Sequence, residues 1–110
     1  MSYDVRFKEQ VGHSHTFLYV GDDWINHTSN TSTLIKEVCG SRPPEWNGKR
    51  CKDIYPALVQ GVSLLTMYPQ QYKCFEPENG WGTIKTTIAF LEKIIANCEK
   101  HPNAVIEVTY

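Results

Sequence analysis

The apolar residues of this chain change their spacing twice, and that change restricts the fold more than any other feature. Tyr3, Val5 and Phe7 alternate with Asp4, Arg6 and Lys8, the period of two expected of a strand with one buried face. The interval then lengthens. Ile54, Ala57, Leu58, Gly61, Leu64, Leu65 and Tyr68, and later Ile84, Ile88, Leu91, Ile94, Ile95 and Cys98, recur at helical spacing. At the C-terminus Ile106, Val108 and Tyr110 alternate again with Glu107 and Thr109. Strands at both ends with amphipathic helices between them bury every apolar face when the helices cover one side of a sheet. The pattern predicts an α+β fold: a small antiparallel or mixed sheet of two N-terminal strands and a C-terminal strand, packed against two longer helices, with one short helix. At 110 residues, either half alone would bury too little apolar surface to fold, so residues 1–110 form one domain.

Punctuation sets the expected boundaries. Residues 16–20 suit a partner strand after the Val11-Gly12-His13 break; Gly21-Asp22-Asp23 turns the chain, and Trp24-Ile25 returns briefly to extended structure. Residues 26–33 are rich in Asn, Ser and Thr, whose short side chains favour helix N-caps, so a short helix is expected from about residue 31 to 38, ending near Gly40. Residues 40–49, with Pro43-Pro44 and Asn47-Gly48, read as a loop in which Trp46 is out of place. Asp53 is the expected N-cap of the first long helix, with Pro56 in its first turn and Pro69 beyond its end. Pro77-Glu78-Asn79-Gly80 is a turn, His101-Pro102-Asn103 ends the second long helix, and the last strand pairs with an N-terminal one.

Bulk properties exclude some functions. A formal net charge of −1 argues against a chain built to neutralise phosphate backbones, so nucleic acid is unsupported as a partner. The longest apolar runs, at residues 17–20 and 88–91, are far too short to span a bilayer. The N-terminus lacks the apolar core of a secretory signal. Cys39, Cys51, Cys74 and Cys98 are widely scattered with no CxxC, which reads as reduced thiols in a cytoplasmic protein. On that reading the glycosylation patterns Asn26-His27-Thr28 and Asn30-Thr31-Ser32 are chance matches.

Several segments resemble, in order and spacing, a group of small uncharacterised proteins of bacterial, phage and prophage sequences. They are Asn26-His27-Thr28-Ser29-Asn30, Lys52-Asp53-Ile54-Tyr55-Pro56, residues 69–72, Pro77-Glu78-Asn79-Gly80-Trp81-Gly82-Thr83 and residues 96–106. The group is marked by an N-x-T-H-N segment before a helix and a central P-x-N-G-W-G. The resemblance runs from about Trp24 to the C-terminus and is strongest at Asn79-Gly80-Trp81-Gly82. Ser29 stands where the group commonly has histidine, which weakens any chemistry resting on that imidazole. The resemblance implies a phage or mobile-element context and no mechanism.

Two polar motifs are the candidate binding residues. Thr28, Ser29 and Asn30 precede an expected helix, whose unpaired N–H groups and dipole attract anions; capping the helix is their simpler role. Asn79, Gly80, Trp81 and Gly82 form a tight turn beside a flat aromatic, suited to stacking if it meets the first motif, or merely to closing the helical layer. Trp46 and Tyr72 are expected either to line the same cavity or to sit in the core or at its rim. His13 and His15, near His27 in sequence, would share a strand face and could bind zinc if Asp22, Asp23 or a cysteine completed the set; no recognised metal spacing is present, so solvent-facing histidines are the expectation. Cys39 with His27 has the residue types of a nucleophile and base, but nothing fixes their geometry. No cofactor or metal is expected.

The leading functional expectation is a small non-catalytic binding protein of phage or mobile-element type, with counter-defence as its purpose. It would occupy a host protein or sequester a small nucleotide-like anionic ligand. The alternatives are a small hydrolase or transferase acting on a nucleotide or phosphoester through residues 28–30 with His27 or a nearby aspartate, and an assembly protein dimerising through an exposed edge strand at residues 104–110.

Overall fold

The computed structural model describes residues 1–80 and 82–110. Three strands and four helices follow in the order β1 (Ser2–Gln10), β2 (Phe17–Thr28), α1 (Ser32–Cys39), α2 (Cys51–Met67), α3 (Pro69–Tyr72), α4 (Ile84–Lys100) and β3 (Val105–Thr109). The sheet is antiparallel with order β2-β1-β3, so the expected α+β sandwich is present. Central β1 sends Tyr3, Val5 and Phe7 into the core, and β3 adds Ile106 and Val108. Opposite them α1, α2 and α4 contribute Leu34, Ile35, Val38, Leu58, Leu65, Leu91 and Ile94. At Gly61 the helices α1 and α2 touch: a methyl there would lie 2.5 Å from the Cys39 sulfur.

The second strand is longer than its sequence suggests. Gly21-Asp22-Asp23 does not reverse the chain but forms a bulge, since Val20 pairs with Phe7 and Ile25 pairs with Val5, leaving residues 21–24 opposite Arg6 alone. Asn26, His27 and Thr28 therefore belong to the strand, paired with Asp4, Tyr3 and Ser2, rather than to a helix entrance. After Thr28 one 3-10 turn, Ser29–Thr31, leads into α1.

Trp46 is resolved as a core residue. A 3-10 turn at Pro43–Trp46 drives its indole wholly inside, where Nε1–H donates to Ser41 Oγ at 2.8 Å. Burying so large a ring with its one donor satisfied explains a tryptophan between prolines and glycine.

Helix α2 starts at Cys51, two residues before the expected cap at Asp53, because distant carbonyls hold its first amides: Cys51 N–H donates to Ala104 O at 2.8 Å and Lys52 N–H to Pro102 O at 2.9 Å. Pro56 thus lies past the first turn, on the exposed side of the helix, where water can reach the Lys52 carbonyl that proline leaves without its helical donor.

The expected open edge at residues 104–110 is closed. Gly48 N–H donates to Ile106 O and Ile106 N–H to Lys49 O, both at 2.8 Å, while Val108 N–H donates to Asn47 Oδ1 at 2.9 Å. The edge left without a neighbouring strand is that of β2.

Candidate functional site

The two polar motifs do meet. Gly82, at φ +104°, lies against the first motif so closely that a methyl on its Cα would come 2.7 Å from Thr28 Cγ2 and 2.6 Å from Thr31 Cγ2. The meeting is close packing of methyl groups on backbone, which leaves no room for a guest at that point. Thr28 Oγ1 accepts from Asn30 N–H at 3.3 Å, and Ser29 Oγ donates to Met1 O at 3.0 Å. Thr28 thus caps the turn itself, and Ser29 ties it to the start of the chain. Gly80 closes its turn with N–H to Pro77 O at 3.3 Å, and Asn79 is exposed beside it. Trp81 lies outside the described residues. The start of α4 is also supplied from within: Glu76 Oε2 accepts from Ile84 N–H at 2.7 Å, and Thr83 and Thr86 cap each other's amides. Tyr72 is half-buried against Phe75, with ring centroids 6.4 Å apart.

The histidines separate. His13 and His15 sit in the exposed connection between β1 and β2, off either strand. His27 faces the core, stacked on Phe90 with centroids 4.7 Å apart, its Nε2 3.3 Å from Thr87 Oγ1. Thr87 gives its hydroxyl proton to Thr83 O at 2.8 Å, so both contacts are satisfied when Nε2 carries hydrogen and donates to Thr87. Burial lowers the imidazole to about 4 and raises the Cys39 thiol to about 12. A base that weak and a thiol that rarely ionises make a poor nucleophilic pair. Among the described residues no three His, Cys, Asp or Glu side chains converge as metal ligands.

A different cluster stands out on the uncovered face of the sheet. The alternation that buries Val5 and Phe7 turns Arg6 and Lys8 outward, across from Tyr19 and Glu107. Arg6 Nε–H donates to Glu107 Oε2 at 2.9 Å, and its guanidinium carbon lies 3.2 Å from the Tyr19 ring centroid and 4.1 Å from that of Trp24. Lys8 Nζ is 5.3 Å from the Phe17 ring and 3.5 Å from Glu107 Oε1. Partial burial pulls the Glu107 carboxyl upward, but the Arg6 hydrogen bond, the Lys8 charge and the Tyr19 hydroxyl outweigh it and hold it below the usual carboxylate range. Phe17, Tyr19 and Trp24 remain more than two-fifths exposed, at 42%, 47% and 41%, although the cations pin them in place.

The bulge creates this cluster. Trp24 adopts φ +45°, and among the described residues it is the one non-glycine with positive φ. Such a conformation needs support from its surroundings. Asn97 of α4 supplies it: Oδ1 accepts from Asp22 N–H at 2.8 Å, and Nδ2 donates to Asp22 Oδ2 at 3.0 Å and to Lys93 O at 2.8 Å. Next to it a polar hollow of about 540 Å³ is lined by Asp22, Asp23, Trp24, Ile25, Asn26 and Lys93. The alternation of Arg6 and Lys8 with Phe7 was the sequence signal for part of this face, whereas residues 17–20 read only as a continuous apolar run. Trp24 carried none, because the bulge breaks the period. No family model, curated protein or solved structure matches the chain.

Proposed function

We propose that this chain is a non-catalytic binding protein that uses the open face of its sheet to engage another protein, a bacterial host protein if the phage-like resemblance holds. The reading rests on one observation: Tyr19 and Trp24 are exposed yet already stacked on the half-buried Arg6. Tyr, Trp and Arg dominate binding energy at protein interfaces, and side chains fixed beforehand lose little entropy on binding. The charges decide between partner classes. Asp4, Arg6, Lys8 and Glu107 on this face sum to zero, which favours a mixed protein surface over a nucleotide-like anion or a nucleic-acid backbone.

The test is affinity capture from a bacterial lysate with three baits: the wild type, the face variant Tyr19→Ala/Trp24→Ser, and the helical-layer variant Val59→Ser/Met67→Gln. A protein retained by the first and third baits and lost about 30-fold or more by the second is the expected result, since truncating such anchors costs about 2 kcal/mol or more. Equal retention by all three baits refutes the reading, as does a partner lost only from the third.

A further inference from the structure

Two of the four cysteines are neighbours, although they are distant in sequence. Cys51 opens α2 and Cys98 lies in the last turn of α4. The amides of Cys51 and Lys52 are fixed on the carbonyls of Ala104 and Pro102, immediately beyond the end of α4, and this sets the two cysteines at one end of the α2–α4 pair, where Cys98 S–H acts as a donor that lowers Cys51. Both side chains belong to the core, at 0% and 2% exposure. A hollow of about 400 Å³ is lined by Lys52, Tyr55, Cys98, Glu99 and Pro102. Tyr55 OH, donating to Glu99 Oε2 at 3.0 Å, stands in its wall.

We propose that Cys51 and Cys98 form a reversible oxidation site, in which a small hydroperoxide entering the hollow that Cys98 lines converts the pair to a disulfide. Cys98 sulfur attacks one peroxide oxygen; an S–O bond forms, the O–O bond breaks, and the departing alkoxide or hydroxide takes the Cys98 proton. Cys51 sulfur then attacks the Cys98 sulfenic acid. The S–S bond forms, the S–O bond breaks, and the hydroxide leaves as water with the Cys51 proton. Two thiols are oxidised by two electrons in total, and one hydroperoxide is reduced to an alcohol, or water, plus water. The second step is the easier. The hydrogen bond from Cys98 lowers the Cys51 thiol against the opposing effect of burial, so Cys51 is the better thiolate and resolves the sulfenic acid. The first step is slow, because that same hydrogen bond together with burial raises Cys98. Cys74 is the one exposed cysteine, so oxygen addition there marks direct oxidation without a partner thiol.

The experiment treats the folded wild-type chain with hydrogen peroxide, alkylates the remaining thiols, and maps the peptides without reduction. The expected product is a peptide joining residues 51 and 98, two hydrogens lighter than the separate thiols, which dithiothreitol returns to the starting mass. Its rate of appearance should fall at least tenfold when the protein is first unfolded in urea, because the pairing depends on the fold. Oxygen addition at Cys98 or Cys74 without the 51–98 link overturns the proposal, as does a link formed equally fast in urea. Because both outcomes are read on the wild type, neither depends on a cysteine variant folding.

Discussion

His27 sits in an environment that its identity does not suggest. Enclosed against Phe90 and bonded to Thr87, it is held neutral, at about 4 rather than the ordinary value near 6.5. In the unfolded chain it takes up a proton below about pH 6.5. The unfolded state thus binds more protons between about pH 6.5 and 4, so stability is complete above that window and falls as acid is added through it. The loss by pH 4 is roughly 2 to 3 kcal/mol, the full shift reduced for partial solvent screening. Replacing His27 with Phe keeps the ring stacked and removes the proton. Urea denaturation at pH 7.0 and 5.5 should show a clear difference for the wild type and little for the variant; equal pH dependence of both would exclude this role for His27. From sequence, His27 belonged to a helix entrance. Nothing local shows that a bulge upstream restores the alternation and turns it inward.

At the level of elements, the fold was legible where one rule acts on consecutive residues and obscure where a distant group decides. The strand alternation at Tyr3, Val5 and Phe7 and the stripes of α2 and α4 identified the layers, because each apolar face is written at a fixed period. The stripes missed Thr87 and Asn97, which are buried because each has hydrogen-bond partners on or beyond α4. The extent of β2 was hidden for the same reason, since the segment from Gly21 to Trp24 has the composition of a turn and is held in the sheet by Asn97. Substituting Asn97 with Ala leaves the Asp22 N–H and carboxylate without that partner, costing roughly 1 to 3 kcal/mol. The bulge that presents Trp24 should loosen with it. Capture of the partner should therefore fall for Asn97→Ala as it does for the Tyr19→Ala/Trp24→Ser face variant, although Asn97 is 3% exposed and on the helical side. Undiminished capture at a temperature where the variant is folded would show that the bulge does not shape the binding face.

Across the whole molecule, the chosen binding residues fared unequally. Thr28 and Ser29 secure a turn, Gly82 packs on Thr28 and Thr31, Trp46 fills the core, and the surface with interface composition lies elsewhere. Short polar motifs advertise themselves in sequence, whereas a face assembled from three strands becomes apparent only with the register known. The same holds for the covering of β3 by residues 47–50, a contact between segments that no local pattern records. Hydrogen exchange tests it directly. Ile106 and Val108 amides should both be strongly protected, and Asn47→Ala should release Val108 while Ile106, bonded to the Lys49 carbonyl, stays slow; rapid exchange at both positions in the wild type would mean that the segment does not hold. With that side sealed, sheet growth from one molecule to the next has a single port. Two copies joined through β2 would use up the docking capacity of both, so association by strand addition ends at a pair and cannot run on into a fibre.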